Sequence, residues 1–269
     1  MPTPFYHLRL ADDLINQAGM PESAGELLRT WRYEFMLGTI SPDVQVLSGQ
    51  PREETHFFDL PLRPDAPQAW LNMLRSYPRL AEIHQLGPMQ AAFLAGYLCH
   101  LQADWYWVKD IFLPIFGPRC SWASFSRRLH YHNILRAYLD LQIQPGLPAG
   151  LDSGISQVNP VNWLPFTPDR YLKEWRDFVA PQLRSGAAIH TVDVFSSRQG
   201  IAPPEYYAVL DSDERMQEEI FSHISITQVQ DYHQKILDLN QQLLSDYLAL
   251  SLHPITSDIQ GSLFTGVQP

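Results

Sequence analysis

The stretch GPMQAAFLAGYLCHLQADWYWVKDIFLPIFG, residues 87–117, constrains this chain more than any other. It is long and apolar on nearly every side, so it predicts a helix buried almost all round, with other helices packed against it. Set into it are His100 and Asp104, with Asp110 further on. Side chains four apart stack on one helix face. A buried imidazole and carboxylate need partners, because burying such groups alone is costly. Two kinds of partner suit them. One is a polar side chain on a packed helix, the commoner case. The other is a divalent metal, since histidine and carboxylate are ordinary zinc ligands.

The rest of the chain repeats the helical period. Apolar stripes follow Pro4, where His7 falls on or beside the stripe, and predict a helix over Glu22 to Met36, another over 121–141 and a last long one from Thr227 to Leu252. The alternation that an antiparallel sheet needs is missing. The expected fold class is therefore all-α. With 269 residues the chain can bury a full core without staples. We read residues 1–269 as a single helical domain. It divides into a first half, 1–143, a long Pro/Gly-rich loop, 144–168, and a C-terminal helical half, 169–269. The 22 prolines against 14 glycines fit short helices joined by stiff connections. The tail SLHPITSDIQGSLFTGVQP is expected to be irregular.

Charge and cysteines narrow the function. A net charge of −10 disfavours non-specific binding to nucleic acid or to an anionic membrane surface. Two cysteines, Cys99 and Cys120, make no disulfide framework and no CxxC, so both are read as reduced, structural thiols. The start, MPTPFYHLRLADDL, lacks the basic-then-apolar pattern of a signal peptide, and no membrane span is visible. A cytoplasmic protein is the expectation.

Other polar residues have competing readings. Asp43 follows Pro42 on irregular backbone, as a turn residue or as the end of a segment that starts inside the protein. Arg52, Glu53 and Glu54 before His56 look solvated. His130 and His132 are two apart and face different sides of their helix, while Arg136 and Asp140 are placed for an (i, i+4) salt bridge. Trp105, Tyr106 and Trp107 suit core packing, or the wall of a cleft.

His7, LGTISPD with Asp43, THF with His56, and GYLCHLQAD with His100 and Asp104 occur in an order and in contexts that resemble the bacterial zinc-dependent phospholipase C family, whose fold is shared with the S1/P1-type nucleases. The resemblance covers roughly the first half. It implies an all-helical domain with a metal cluster in a cleft between helices. By position, Asp43, His56, His100 and Asp104 would bind one zinc, and Asp104 would bridge to another held by His7. Asp43 would also orient or deprotonate the attacking water. In the family that second ion uses an N-terminal tryptophan, whereas this chain starts Met-Pro-Thr-Pro. A further family ion takes a histidine six residues past the HxxxD aspartate, then a HxxxE pair. Here these positions are Asp110, His132 and Arg136. Either Asp110 and His132 hold a metal weakly, or Arg136 supplies a fixed positive charge in its place.

The function so implied is hydrolysis of phosphate esters by a zinc enzyme, a phospholipase C-like phosphodiesterase. One zinc is expected, with two or three possible. The substrate would be a small or lipid-headgroup phosphoester, with Arg136 binding phosphate through its planar fork and no stable nucleic-acid binding. Two alternatives stay open. One is a helical binding or scaffold protein with a structural metal. The other is a metallohydrolase of a non-phosphate substrate.

Overall fold

A computed structural model describes residues 1–63 and 65–249 of the chain. Among these there is no strand, and every regular element is a helix. The helices are α1 (Pro4–Asn16), α2 (Glu22–Thr30), α3 (Arg32–Ile40), α4 (Gln45–Ser48), α5 (Arg52–His56), α6 (Ala69–Ser76), α7 (Pro88–Tyr106), α8 (Phe125–Ile143), α9 (Leu151–Gln157), α10 (Asp169–Val179), α11 (Thr191–Gln199), α12 (Pro203–Leu210), α13 (Asp213–Arg215) and α14 (Ile226–Ala249). Pro4, Pro88 and Pro203 each open a helix, where the missing N–H has no intrahelical acceptor to lose. The Ser124 hydroxyl caps α8 by accepting from the Arg127 N–H.

Helix α7 is the axis of the molecule. Every residue from Ala91 to Trp105 on it is buried. It continues as a π-helical segment, Trp107–Phe116, with Pro114 inside. A wider turn there absorbs the bond that proline cannot make. Helix α3 crosses α7 with the two backbones in direct contact. A Cβ on Gly38 would lie 2.0 Å from the Phe93 carbonyl oxygen, and one on Gly96 would lie 2.1 Å from that of Phe35. Only glycine allows this approach. Helix α14 closes another side: Tyr232 donates to the Ala103 carbonyl at 2.7 Å and Gln102 to the Asn240 side chain at 3.1 Å. From α1, Tyr6 sits edge-on to Trp107, ring centroids 5.8 Å apart.

Three local expectations are corrected. The predicted helix over Glu22 to Met36 is broken at Trp31, whose backbone (φ −111°, ψ 42°) is not helical, into α2 and α3. The break turns α3 onto α7. The stretch 142–168 is not a bare loop. It contains α9, and it is fastened to α7 where Gln90 donates to the Trp163 carbonyl at 3.0 Å. Burial of Leu151, Ile155, Trp163 and Leu164 explains its order despite its prolines. The (i, i+4) partnership of Arg136 with Asp140 is absent, because Asp140 accepts instead from Thr3 and Thr191. The tail from Ser251 lies outside the described residues, as does the expected end of the last helix at Leu252. Both cysteines are free thiols. No helix among the described residues is long and apolar enough to cross a membrane.

Candidate metal centre

Five polar side chains meet on the inner face of α7. His100 and Asp104 rise from α7 itself. His7 comes from the middle of α1, where the helical stripe carries it inward and leaves it buried. Asp43 comes from a 3-10 turn, Ser41–Val44, which follows α3 directly. The Trp175 indole holds the entry to that turn by donating to the Ile40 carbonyl at 2.7 Å. His56 is the last residue of α5, and Tyr97 pins that helix to α7 by donating to the Thr55 carbonyl at 2.7 Å.

Backbone and hydroxyl partners fix the rings. His100 Nδ1 meets the Thr39 carbonyl at 2.7 Å, so Nδ1 carries the proton and Nε2 faces the cluster. His56 Nδ1 lies 2.9 Å from the Thr55 hydroxyl, again turning Nε2 inward. The His7 ring stacks on that of His100, centroids 3.8 Å apart. The inward atoms are then closely spaced. His7 Nε2 is 3.4 Å from Asp104 Oδ1; His56 Nε2 is 3.3 Å from Asp104 Oδ2 and 3.5 Å from Asp43 Oδ1. His100 Nε2 stands 3.4 Å from His56 Nε2 and 3.7 Å from Asp104 Oδ2.

These spacings are longer than good hydrogen bonds to a carboxylate. They equal the roughly 3.4 Å that separates neighbouring ligand atoms on a tetrahedral zinc with bonds of about 2.0–2.1 Å. His7 Nε2 and Asp104 Oδ1 are moreover buried without a hydrogen-bond partner, which is costly in a protein interior unless an ion takes both. Two overlapping groups have ligand atoms within 4.8 Å of one another: His7, His100 and Asp104, and Asp43, His56 and His100. The donor set fits a zinc ion.

The protonation states suit ligation too. Burial, helped by the charge of His100, lowers His7 to about 4, and burial with Arg52 lowers His56 to about 4, so both are neutral at pH 7. Burial works against the carboxylates, but the histidines outweigh it. Asp43 is held down to about 2 by His56 and His100, and Asp104 is held well below its usual range by His100, His7 and His56. His7 and His56 thus stand as the neutral imidazoles, and Asp43 and Asp104 as the ionised carboxylates, that a metal binds, while His100, raised against its burial by Asp104, gives up a proton when it ligates.

Residues 6–107 match the zinc-dependent phospholipase C family. No curated protein and no solved structure gives a significant match to the chain. The matched stretch holds all five clustered residues and ends before Asp110, His132 and Arg136.

Those three do not extend the cluster as expected. Asp110 turns outward and accepts from Lys235 of α14 at 2.8 Å. Asp110, placed by the resemblance six residues past Asp104, sits on the π-helical segment that begins at Trp107, where the register departs from that of α7. His132 is buried beside Phe112 and Phe116 and takes the Trp107 N–H on its Nε2 at 2.8 Å, which occupies that lone pair. Neither residue falls in a potential metal group among the described residues. Arg136 does reach the site's edge, lining a cleft together with Asp43.

Arg52 is the residue that sequence reasoning misplaced. Glu53 and Glu54 are exposed, but Arg52 turns in, stacks 4.4 Å over the Phe58 ring and donates to Asp104 Oδ2 at 2.8 Å. The three charges are adjacent in a five-residue helix, and only the packing of that helix separates the inward one. The anchoring carbonyls of Thr39 and Thr55 leave no trace in residue type. Trp105 and Trp107 are core residues, while Tyr106 carries Lys235 4.7 Å over its ring.

Proposed function

We propose that this protein is a metal-dependent hydrolase of phosphate esters, with zinc as the metal and a small or lipid-headgroup ester as substrate. The observation that carries this reading is the spacing of about 3.3–3.5 Å among the inward atoms of His7, Asp43, His56, His100 and Asp104, with two of those atoms buried and unpartnered. Zinc held by these residues supplies a Lewis acid for a phosphoryl oxygen and a means of acidifying water at neutral pH. Asp43 is the most open of the five, its side chain 18% exposed. Held ionised near 2, it is a weak base, so it orients an attacking water by accepting its hydrogen bond more than it removes a proton. Arg52 offsets the charge of Asp104 and keeps that carboxylate aimed at the histidines.

The test is elemental analysis of the purified protein, paired with turnover of p-nitrophenyl phosphate, bis-p-nitrophenyl phosphate and p-nitrophenylphosphorylcholine with and without chelator. Stoichiometric zinc and chelator-sensitive release of p-nitrophenol from at least one ester is the expected result. Metal-free protein, or no chelator-sensitive turnover of any of the three, overturns the reading. The Arg52–Asp104 ion pair favours a second reading, since it occupies a lone pair of the shared carboxylate. In that case a helical binding or scaffold protein keeps a structural ion, and zinc is present without turnover.

A further inference from the structure

Beside Asp43 the structure opens a cleft of a different character. It has a cavity volume of about 70 Å³, is part-open to solvent, and lies between the start of α1, α8, α10 and α11. Trp175 and Phe178, stacked with centroids 5.6 Å apart, form one wall, and Phe195 forms another. The Arg136 guanidinium lies 4.2 Å over the Phe195 ring. One of its terminal nitrogens donates to the Met1 carbonyl at 2.9 Å and the other to the Asn133 side chain, while its buried Nε has no partner. Arg198 stands exposed on the rim, with no hydrogen bond or ion pair among the described residues. Asp43 is the one acidic residue among the described residues that line the cleft.

We propose that this cleft selects phosphate monoesters of apolar alcohols, with Arg136 and Arg198 binding the phosphate dianion beside Asp43 and the aromatic walls receiving the alcohol. A phosphate monoester carries close to two negative charges at pH 7, with a second pKa of about 6, and a diester only one. Arg198, whose guanidinium has no partner among the described residues, can offer its planar fork to phosphate oxygens, and Arg136, whose terminal nitrogens already hold Met1 and Asn133, adds a fixed positive charge beside it. A cationic headgroup would enter a cleft with two arginines and one carboxylate and would be repelled. The aromatic faces give a nonpolar alcohol a desolvated seat. For turnover this selection rests on the hydrolase reading; for phosphate binding it stands apart from it.

The experiment is titration of inorganic phosphate into the purified protein by calorimetry, repeated on Arg198→Gln and Arg136→Gln. Alongside it, kcat/KM is compared for p-nitrophenyl phosphate and bis-p-nitrophenyl phosphate. Arg198→Gln is expected to weaken phosphate binding about fivefold and Arg136→Gln about tenfold, with the monoester preferred by about tenfold. Arg198 is exposed, so its variant reports even if Arg136→Gln fails to fold. Unchanged phosphate affinity in Arg198→Gln, or a preferred diester whose turnover that variant leaves intact, overturns the cleft assignment and spares the hydrolase reading. Phosphate affinity that falls in the variants without turnover of either ester overturns the hydrolase reading and keeps the anion cleft.

Discussion

The five clustered ligand candidates all lie between residues 7 and 104, whereas the aromatic walls of the adjoining cleft come from residues 175–195. The two regions are built differently. The first is polar, buried and held by backbone carbonyls on helices in close contact. The second is apolar, part-open and carried by two helices, α10 and α11, beyond the matched stretch. They meet at Asp43 and Arg136. On the proposed reading, chemistry and selectivity can therefore be altered separately: the first region would decide whether an ion is held, and the second what is brought to it.

The sharpest way to break this division is His100→Ala. Its ring is completely buried, and its Nε2 lies within reach of His56 and Asp104. We expect zinc content by elemental analysis to fall from stoichiometric to near zero. The loss of affinity should exceed the roughly 10–100-fold that removing a supporting partner costs. Stoichiometric zinc in this variant would refute the ligand assignment.

Asp140→Asn tests the joint between the regions. Asp140 accepts from Thr3 at the start of α1 and from Thr191 at the start of α11. Burial pushes its carboxyl up to about 7, against the pull of both hydroxyls and Arg136. Between its ordinary range near 4 and 7, the folded chain keeps a proton that the unfolded chain releases. Stability contributed here falls as pH rises through that window, and the cost is complete above 7. The asparagine cannot ionise. The melting temperature of the variant relative to the parent should therefore climb by about 5 °C from pH 5 to pH 8. A difference that stays flat with pH would mean that Asp140 is not strained by its burial.

The smallest effect is expected in the second region. Phe178→Ala removes half of the stacked wall and touches no ligand. It should raise KM for p-nitrophenyl phosphate by about threefold, with zinc content and kcat unchanged. A loss of zinc in this variant would show that the two regions are not separable.

Much of this could be read in the residues. The all-α class follows from helical periodicity and the lack of alternation, both local properties. The pairing of His100 with Asp104 follows from spacing on one helix, and short contexts singled out His7, Asp43 and His56, which the fold brings beside that pair. What failed was orientation at single positions. Arg52 was read as solvated together with Glu53 and Glu54, and Asp110 was placed by the resemblance, six residues past Asp104, on a segment that is π-helical. The break at Trp31 and the packing of 142–168 were equally out of reach, because each depends on what lies opposite.

By itself, then, the sequence determined the secondary-structure class, the buried axis and the types of side chain available to an ion, because those depend on neighbours within a few turns. Only the tertiary structure decided that α1, the turn at Asp43, α5 and α7 converge at ligand spacing, that Arg52 enters and Asp110 leaves, and that α10 and α11 wall the cleft. The physical reason lies in the glycine contact of α3 with α7, which sets the distances between segments far apart in the chain. Such distances arise from packing of whole helices and are encoded in no single stretch of residues.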